Sequence, residues 1–156
     1  MRSMNGQKER DGEISLKLFV VLSRAMQAIQ KRVEANIKGF GLNLTEFAVL
    51  ELLYHKGEQP IQKIGQKVLL ASSSITYVVD KLEKKGYLVR QPCPNDRRVI
   101  YAVLTDEGKK MMEKIFPMHR EAMMEILGGL TTEEKEWTIE KIKKLGLYAK
   151  KGESST

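Results

Sequence analysis

The sequence predicts a mainly α-helical fold carrying one small β-hairpin. Three observations support this. Apolar residues recur at three- and four-residue spacing through most of the chain, cap and stop residues sit where those stripes begin and end, and only residues 88–104 have strand composition.

Taken in order, Ile14, Leu18, Val21, Ala25, Ile29, Val33 and Ile37 share one helical face, which predicts a helix from about Glu13 to Lys38 that stops at Gly39-Phe-Gly41. A stripe this long at a chain end suits packing against a partner helix. Thr45 is the expected cap of a second helix, marked by Phe47, Leu50, Leu53 and Tyr54 and ending near Gly57. Pro60 suits the start of a short third helix bearing Ile61, Ile64 and Val68. Gly65 costs that helix roughly 1 kcal/mol relative to Ala, which suggests close approach by a neighbour. After a turn at 69–71, "SSSITYVVDKLEKKG" predicts a fourth helix, capped by a serine, with Ile75, Val78, Val79 and Leu82 inward and Gly86 at its C′ position.

The hairpin follows, with strands at Leu88–Gln91 and Val99–Leu104 flanking the tip Pro-Cys-Pro-Asn-Asp-Arg-Arg. Thr105, Asp106 and Glu107 suit the positive end of a fifth helix carrying Met112, Ile115, Met118, Ala122 and Ile126, which Pro117 should kink or interrupt. Thr131 and Glu134 form a capping box for a sixth helix carrying Trp137, Ile142, Leu145 and Tyr148.

The chain of 156 residues fits one domain, or a small one with helical extensions, and 42% apolar residues suffice for a core. Its formal charge of +7 is unevenly placed: +2 over residues 1–60, +5 over 61–110 and zero over 111–156. A basic region localised around the hairpin favours a polyanionic partner over a merely solvated face. One cysteine excludes an internal disulfide framework and any multi-cysteine zinc site. The polar first thirteen residues hold no signal core, and no run approaches the ~18 apolar residues of a membrane span, so a cytoplasmic protein with no membrane association is expected.

Two short helices joined by a turn, followed by a hairpin, are the parts of a winged helix-turn-helix. Opposite the fourth helix's apolar residues lie Ser73, Thr76, Tyr77, Lys81 and Lys84, with Ser72 and Ser74 beside its start. Hydroxyls can bond base edges or phosphates, and lysines neutralise phosphate. Taken alone, this face reads equally well as a solvated helix surface; joined to a wing, it reads as a DNA-binding face. At the wing tip, Arg97 and Arg98 suit a narrow minor groove, whereas Asp96, which phosphates repel, suits the orientation of Arg98. Pro92 and Pro94 stiffen the approach.

"LTEFAVLELL", "SSSITYVVDKLEKKGYLVRQPCPNDRRVIYAVLTDEGKKMMEKI" and "LTTEEKE" resemble the MarR family of bacterial winged-helix regulators over roughly residues 13–148. The most specific part is Asp96-x-Arg98, followed at family spacing by Leu104-Thr105 and Glu107-Gly108. The resemblance implies a single domain: a DNA-binding winged helix over about 45–105, dimerisation helices over about 13–38 and 105–149, and flexible tails at 1–12 and 150–156. It further implies a homodimer, double-stranded operator DNA as partner, and often a small aromatic, phenolic or oxidising effector. The chain departs from the family's peroxide sensors in having no cysteine near the start of the first helix, and from the usual turn in lacking glycine before the fourth helix.

Catalysis is not expected. His55 and His119 have no metal-ligand spacing, no nucleophile motif or phosphate loop appears, and neither metal nor cofactor is implied. The alternative function is a winged helix used only for protein–protein contacts, without specific DNA binding. For the signal, Cys93 among Arg90, Arg97 and Arg98 is a candidate redox sensor. It has no resolving cysteine in its own chain, so a small apolar or aromatic ligand in the cleft between the lobes is the favoured reading.

Overall fold

The first helix begins earlier than its apolar stripe. In the computed structural model, which describes residues 2–68 and 74–153, α1 spans Arg2–Lys38. Residues 2–12, expected as a tail, are therefore helical. Each residue added to an existing helix gains a hydrogen bond for one residue ordered, and Lys, Arg, Glu and Gln are good helix formers. That gain outweighs the cost of Gly6 and Gly12. The other expected tail is likewise shortened, since α6 spans Thr132–Glu153.

Between these, α2 spans Leu44–Lys56, β1 Gln59–Pro60, α3 Ile61–Lys67, α4 Ile75–Lys84, β2 Leu88–Pro92, β3 Ile100–Leu104 and α5 Asp106–Ile126. Asn43, not Thr45, caps α2. Its Oδ1 accepts the Glu46 N–H at 2.8 Å while Glu46 Oε1 accepts the Asn43 N–H at 3.1 Å, a reciprocal box that a Thr45 cap could not make with Glu46. Thr105 caps α5 by accepting the Gly108 N–H at 3.0 Å, and Thr131 and Glu134 form the expected box on α6.

Pro117 lies inside α5 without ending it. The carbonyl that loses its helical donor belongs to Glu113, an exposed residue, and water can satisfy it. Gly65 faces Ile75, but an added Cβ would stand 3.5 Å away in ordinary contact, so closeness does not require glycine there. The position that does is Gly108. A Cβ there would overlap the Tyr87 carbonyl oxygen.

The hairpin is part of a three-stranded antiparallel sheet, ordered β1-β3-β2. β2 and β3 pair from Leu88↔Leu104 to Pro92↔Ile100, and β1 adds Gln59↔Ala102 and Pro60↔Tyr101. Two residues are too few to show alternation in the sequence. Proline is tolerated because β1 is an edge strand.

The core lies in this winged unit. Phe47, Val49, Leu50 and Leu53 of α2 meet Ile64 of α3, Val78, Val79 and Leu82 of α4, Leu88 and Ala102 of the sheet, and Met112 and Ile115 of α5. Among the described residues, Ile37 is the one buried side chain of α1, and α6 contributes none. Ile14, Leu18 and Val21 of the α1 stripe, and Trp137, Ile142, Leu145 and Tyr148 of α6, are exposed in the single chain.

Candidate nucleic-acid interface

Val78, Val79 and Leu82 anchor α4 in the core, which turns Thr76, Tyr77, Asp80, Glu83 and Lys84 outward. Tyr77 is 60% exposed, and Lys81, half-buried, lies over its ring with Nζ 5.6 Å from the centroid. Ser74 occupies the N-cap position, but its side chain makes no capping hydrogen bond, contrary to the expected serine cap. Its backbone at φ −56°, ψ 127° carries the helix start without one. Ser72 and Ser73, and the turn before them, lie outside the described residues.

Three ion pairs, made by Lys85 and Arg90, fix the orientation of α4. At its C-terminal end, Lys85 Nζ stands 2.7 Å from Glu46 Oε2 and 3.3 Å from the Gly41 carbonyl oxygen. Glu46 is 3% exposed, so this pair joins the α1–α2 junction to the end of α4 through a carboxylate that cannot be left uncompensated. On the flank toward the sheet, Arg90 of β2 reaches both acids of α4. Its Nη2 lies 2.5 Å from Asp80 Oδ1, its Nη1 lies 2.9 Å from Glu83 Oε1, and its backbone N–H donates to Glu83 Oε2 at 3.0 Å. Its guanidinium pKa is raised, first by the hydrogen bond to Asp80, against the opposing effect of burial.

At the wing tip, the Cys93 N–H donates to the Val99 carbonyl at 2.9 Å and closes the loop. Asp96 Oδ1 accepts the Arg98 backbone N–H at 3.0 Å and lies 3.5 Å from Arg98 Nε. Arg98 is 94% exposed while tied at its base, the geometry expected of an arginine held out by Asp96. Arg97 is exposed beside it, and Cys93 is half-buried. Of the arginines near that thiol in sequence, Arg90 and Arg98 are each engaged by carboxylates.

The structure therefore brings Thr76, Tyr77, Lys81 and Lys84 onto one outward helix surface, and Asp96, Arg97 and Arg98 onto the hairpin beside it. What sequence reasoning missed was the role of Asp80, Glu83 and Arg90. Two acids at i, i+3 on an otherwise basic helix were the available signal, because like charges one turn apart repel and favour a cation between them.

His55 and His119 are closer than their sequence positions suggest. Both face Phe116, with ring centroids 4.7 and 6.5 Å away, and the His119 ring lies 4.5 Å from Phe47. His119 Nδ1 is 3.1 Å from Asn36 Oδ1, so one ring links α1, α2 and α5. Burial lowers its pKa, against an opposing pull from Glu51. Among the described residues no group of His, Cys, Asp or Glu could hold a metal ion.

Residues 42–100 match the model of the MarR family. The HTH-type transcriptional regulator MhqR of Bacillus subtilis is 54% identical over 138 residues, spanning 88% of this chain and 95% of that protein. Two solved structures share the fold. AbsC, a MarR family transcriptional regulator from Streptomyces coelicolor, has 18% identity and a TM-score of 0.78 over 86% of this chain and 93% of its own. Sco3205, a MarR family regulator of the same organism solved in complex with DNA, has 21% identity and a TM-score of 0.76 over 84% and 88%. With a near relative along almost its whole length and a winged helix built on the same plan, the chain belongs to the MarR family of transcriptional regulators and is not an enzyme.

Proposed function

We propose that the protein is a cytoplasmic repressor that binds a pseudo-palindromic operator as a homodimer and releases it when a small aromatic or phenolic effector binds. The observation that carries this reading is the pairing of an outward α4 surface, Thr76, Tyr77, Lys81 and Lys84, with a wing whose Arg98 is nearly fully exposed and braced by Asp96. The DNA complex of Sco3205 supports it. In this reading α4 enters a major groove, and the wing arginine enters the flanking minor groove.

Surface area supports the homodimer. The single chain exposes 12408 Å², whereas a compact chain of 17.8 kDa exposes roughly 8,000 Å². The excess of roughly 4,000 Å² per chain is more than enough to supply the roughly 2,000–5,000 Å² that an obligate dimer buries over both partners together. It coincides with apolar side chains on α1 and α6 that nothing covers in the single chain. For the effector, the support is a hollow of about 440 Å³ lined by Ala48, Leu52, His55 and Val68 with Glu51 and Lys67, within the size range of small-molecule sites.

Selection from a random duplex pool tests the reading. An enriched inverted repeat with half-sites about one helical turn, ~34–36 Å, apart is expected, together with a dimer by light scattering. A monomeric chain, or a pool with no enriched sequence, contradicts it and favours a winged helix used only for protein contacts. A Cys93→Ser variant that still releases DNA on induction supports the cleft effector; one that binds but no longer responds makes Cys93 the sensor.

A further inference from the structure

α4 carries two carboxylates on the surface proposed to meet a polyanion, an arrangement that electrostatics alone would disfavour. On a helix of 3.6 residues per turn, Thr76, Asp80 and Glu83 line the flank nearest the sheet, while Tyr77, Lys81 and Lys84 line the other. The acidic flank is where β2 arrives, and Arg90 meets both acids. Its side chain is 26% exposed, with one guanidinium nitrogen on each carboxylate.

The position along the wing gives this contact leverage. At the wing base, Thr105 is bonded to the Gly86 and Tyr87 carbonyls, which ties the sheet to the start of α5. Beyond Arg90, the tip's hydrogen bonds from Cys93, Val99 and Arg98 are to other tip residues. Arg90 is thus the outermost side-chain tie between the wing and α4 among the described residues.

We propose that Arg90 is a positioning residue: it holds β2 against α4 through Asp80 and Glu83, so that the α4 surface and the Arg98 tip meet DNA as one rigid unit. This rests on the DNA-binding reading above. Arg90 is charged but does not serve as a phosphate contact, because both its terminal guanidinium nitrogens are engaged by carboxylates of its own chain. Removing it leaves the wing free to swing and also leaves two acids uncompensated beside the DNA. The first consequence removes discrimination between sequences; the second lowers affinity for any duplex.

Two variants separate these consequences: Arg90→Ala, and Arg90→Ala combined with Asp80→Asn and Glu83→Gln. Each is compared with wild type for affinity to the selected duplex and to generic duplex, and for amide hydrogen exchange in the free protein. Arg90→Ala is expected to lower affinity for the selected duplex by roughly tenfold or more, the scale of one lost base contact, and to speed exchange across residues 91–100. The combined variant is expected to regain generic affinity while its preference for the selected duplex stays low.

Full recovery of that preference in the combined variant would overturn the proposal, because Arg90 would then only neutralise acids. So would unchanged exchange in the wing, or a generic-binding salt slope reduced by about one per Arg90, the mark of a phosphate contact. If Arg90→Ala does not fold, Arg90→Lys is compared instead. It keeps the charge but lacks the planar pair of nitrogens that meets the two carboxylates, so faster wing exchange and a weaker preference with generic affinity unchanged are expected, and unchanged exchange overturns the proposal. A wild-type protein that prefers no duplex would refute the DNA reading. The exchange comparison would still decide whether Arg90 holds the wing.

Discussion

Arg98 is nearly fully exposed, and among the described residues it is restrained by Asp96, two residues away. An exposed ion pair of this kind contributes little to stability, under ~1 kcal/mol, so its value lies in limiting the rotamers of Arg98. Arg98→Ala is expected to weaken specific binding by roughly 1–3 kcal/mol without altering the fold, and Asp96→Ala to weaken it less. Titration of the folded variants against the selected duplex checks this; unchanged affinity in Arg98→Ala would remove the wing from the interface. Gly108 presents the opposite case, where geometry overrides propensity. Alanine is favoured over glycine in a helix by roughly 1 kcal/mol, but here its methyl would overlap the Tyr87 carbonyl oxygen and crowd Leu104. Net destabilisation of about 1–3 kcal/mol is expected, because moving backbone costs more than the propensity returns. A denaturant midpoint equal to wild type would show that the junction between wing and α5 yields easily.

Between elements, the junctions depend on polar links that no single stripe contains. Lys85 and Glu46 join α4 to α2, Arg90 joins β2 to α4, and His119 joins α5 to α1 and α2. The last of these titrates. Burial holds the pKa of His119 below its ordinary 6.5, so the folded chain resists a proton that the unfolded chain accepts. The stability contributed by neutral His119 is therefore complete above about pH 6.5 and is lost as pH falls toward and through the depressed value. Urea midpoints measured across this window should fall in wild type and fall less in His119→Gln, which keeps a hydrogen-bonding group for Asn36. Parallel slopes would place the titration elsewhere.

At the scale of the molecule, charge and exposed apolar surface are separated. The basic excess belongs to the winged unit, and the uncovered apolar surface belongs largely to α1 and α6. The structure also sharpens the charge count, because Lys85 and Arg90 are engaged by carboxylates inside the chain. Lys81, Lys84, Arg97 and Arg98 remain on the proposed face, and two chains would present about eight phosphate contacts. Raising salt from 50 to 200 mM should then lower duplex affinity by ~10³–10⁵, read as the slope of log affinity against log salt. A nearly flat slope would contradict the phosphate-contact model.

The sequence by itself determined the helical stripes, the caps of α5 and α6 and the hairpin, because these depend on neighbours within a few residues. It also located Asp96 and Arg98, whose interaction spans two residues. Tertiary structure decided what depends on distant partners: the third strand, formed only because β3 offers Gln59 and Pro60 an edge, and the demand for glycine at 108, set by a carbonyl at 87. The same holds for Asp80 and Glu83, which in sequence are merely acids on a basic helix. Their pairing with Arg90 depends on how the wing folds back, since a charge has no fixed meaning until the chain brings its counterion within a few ångströms.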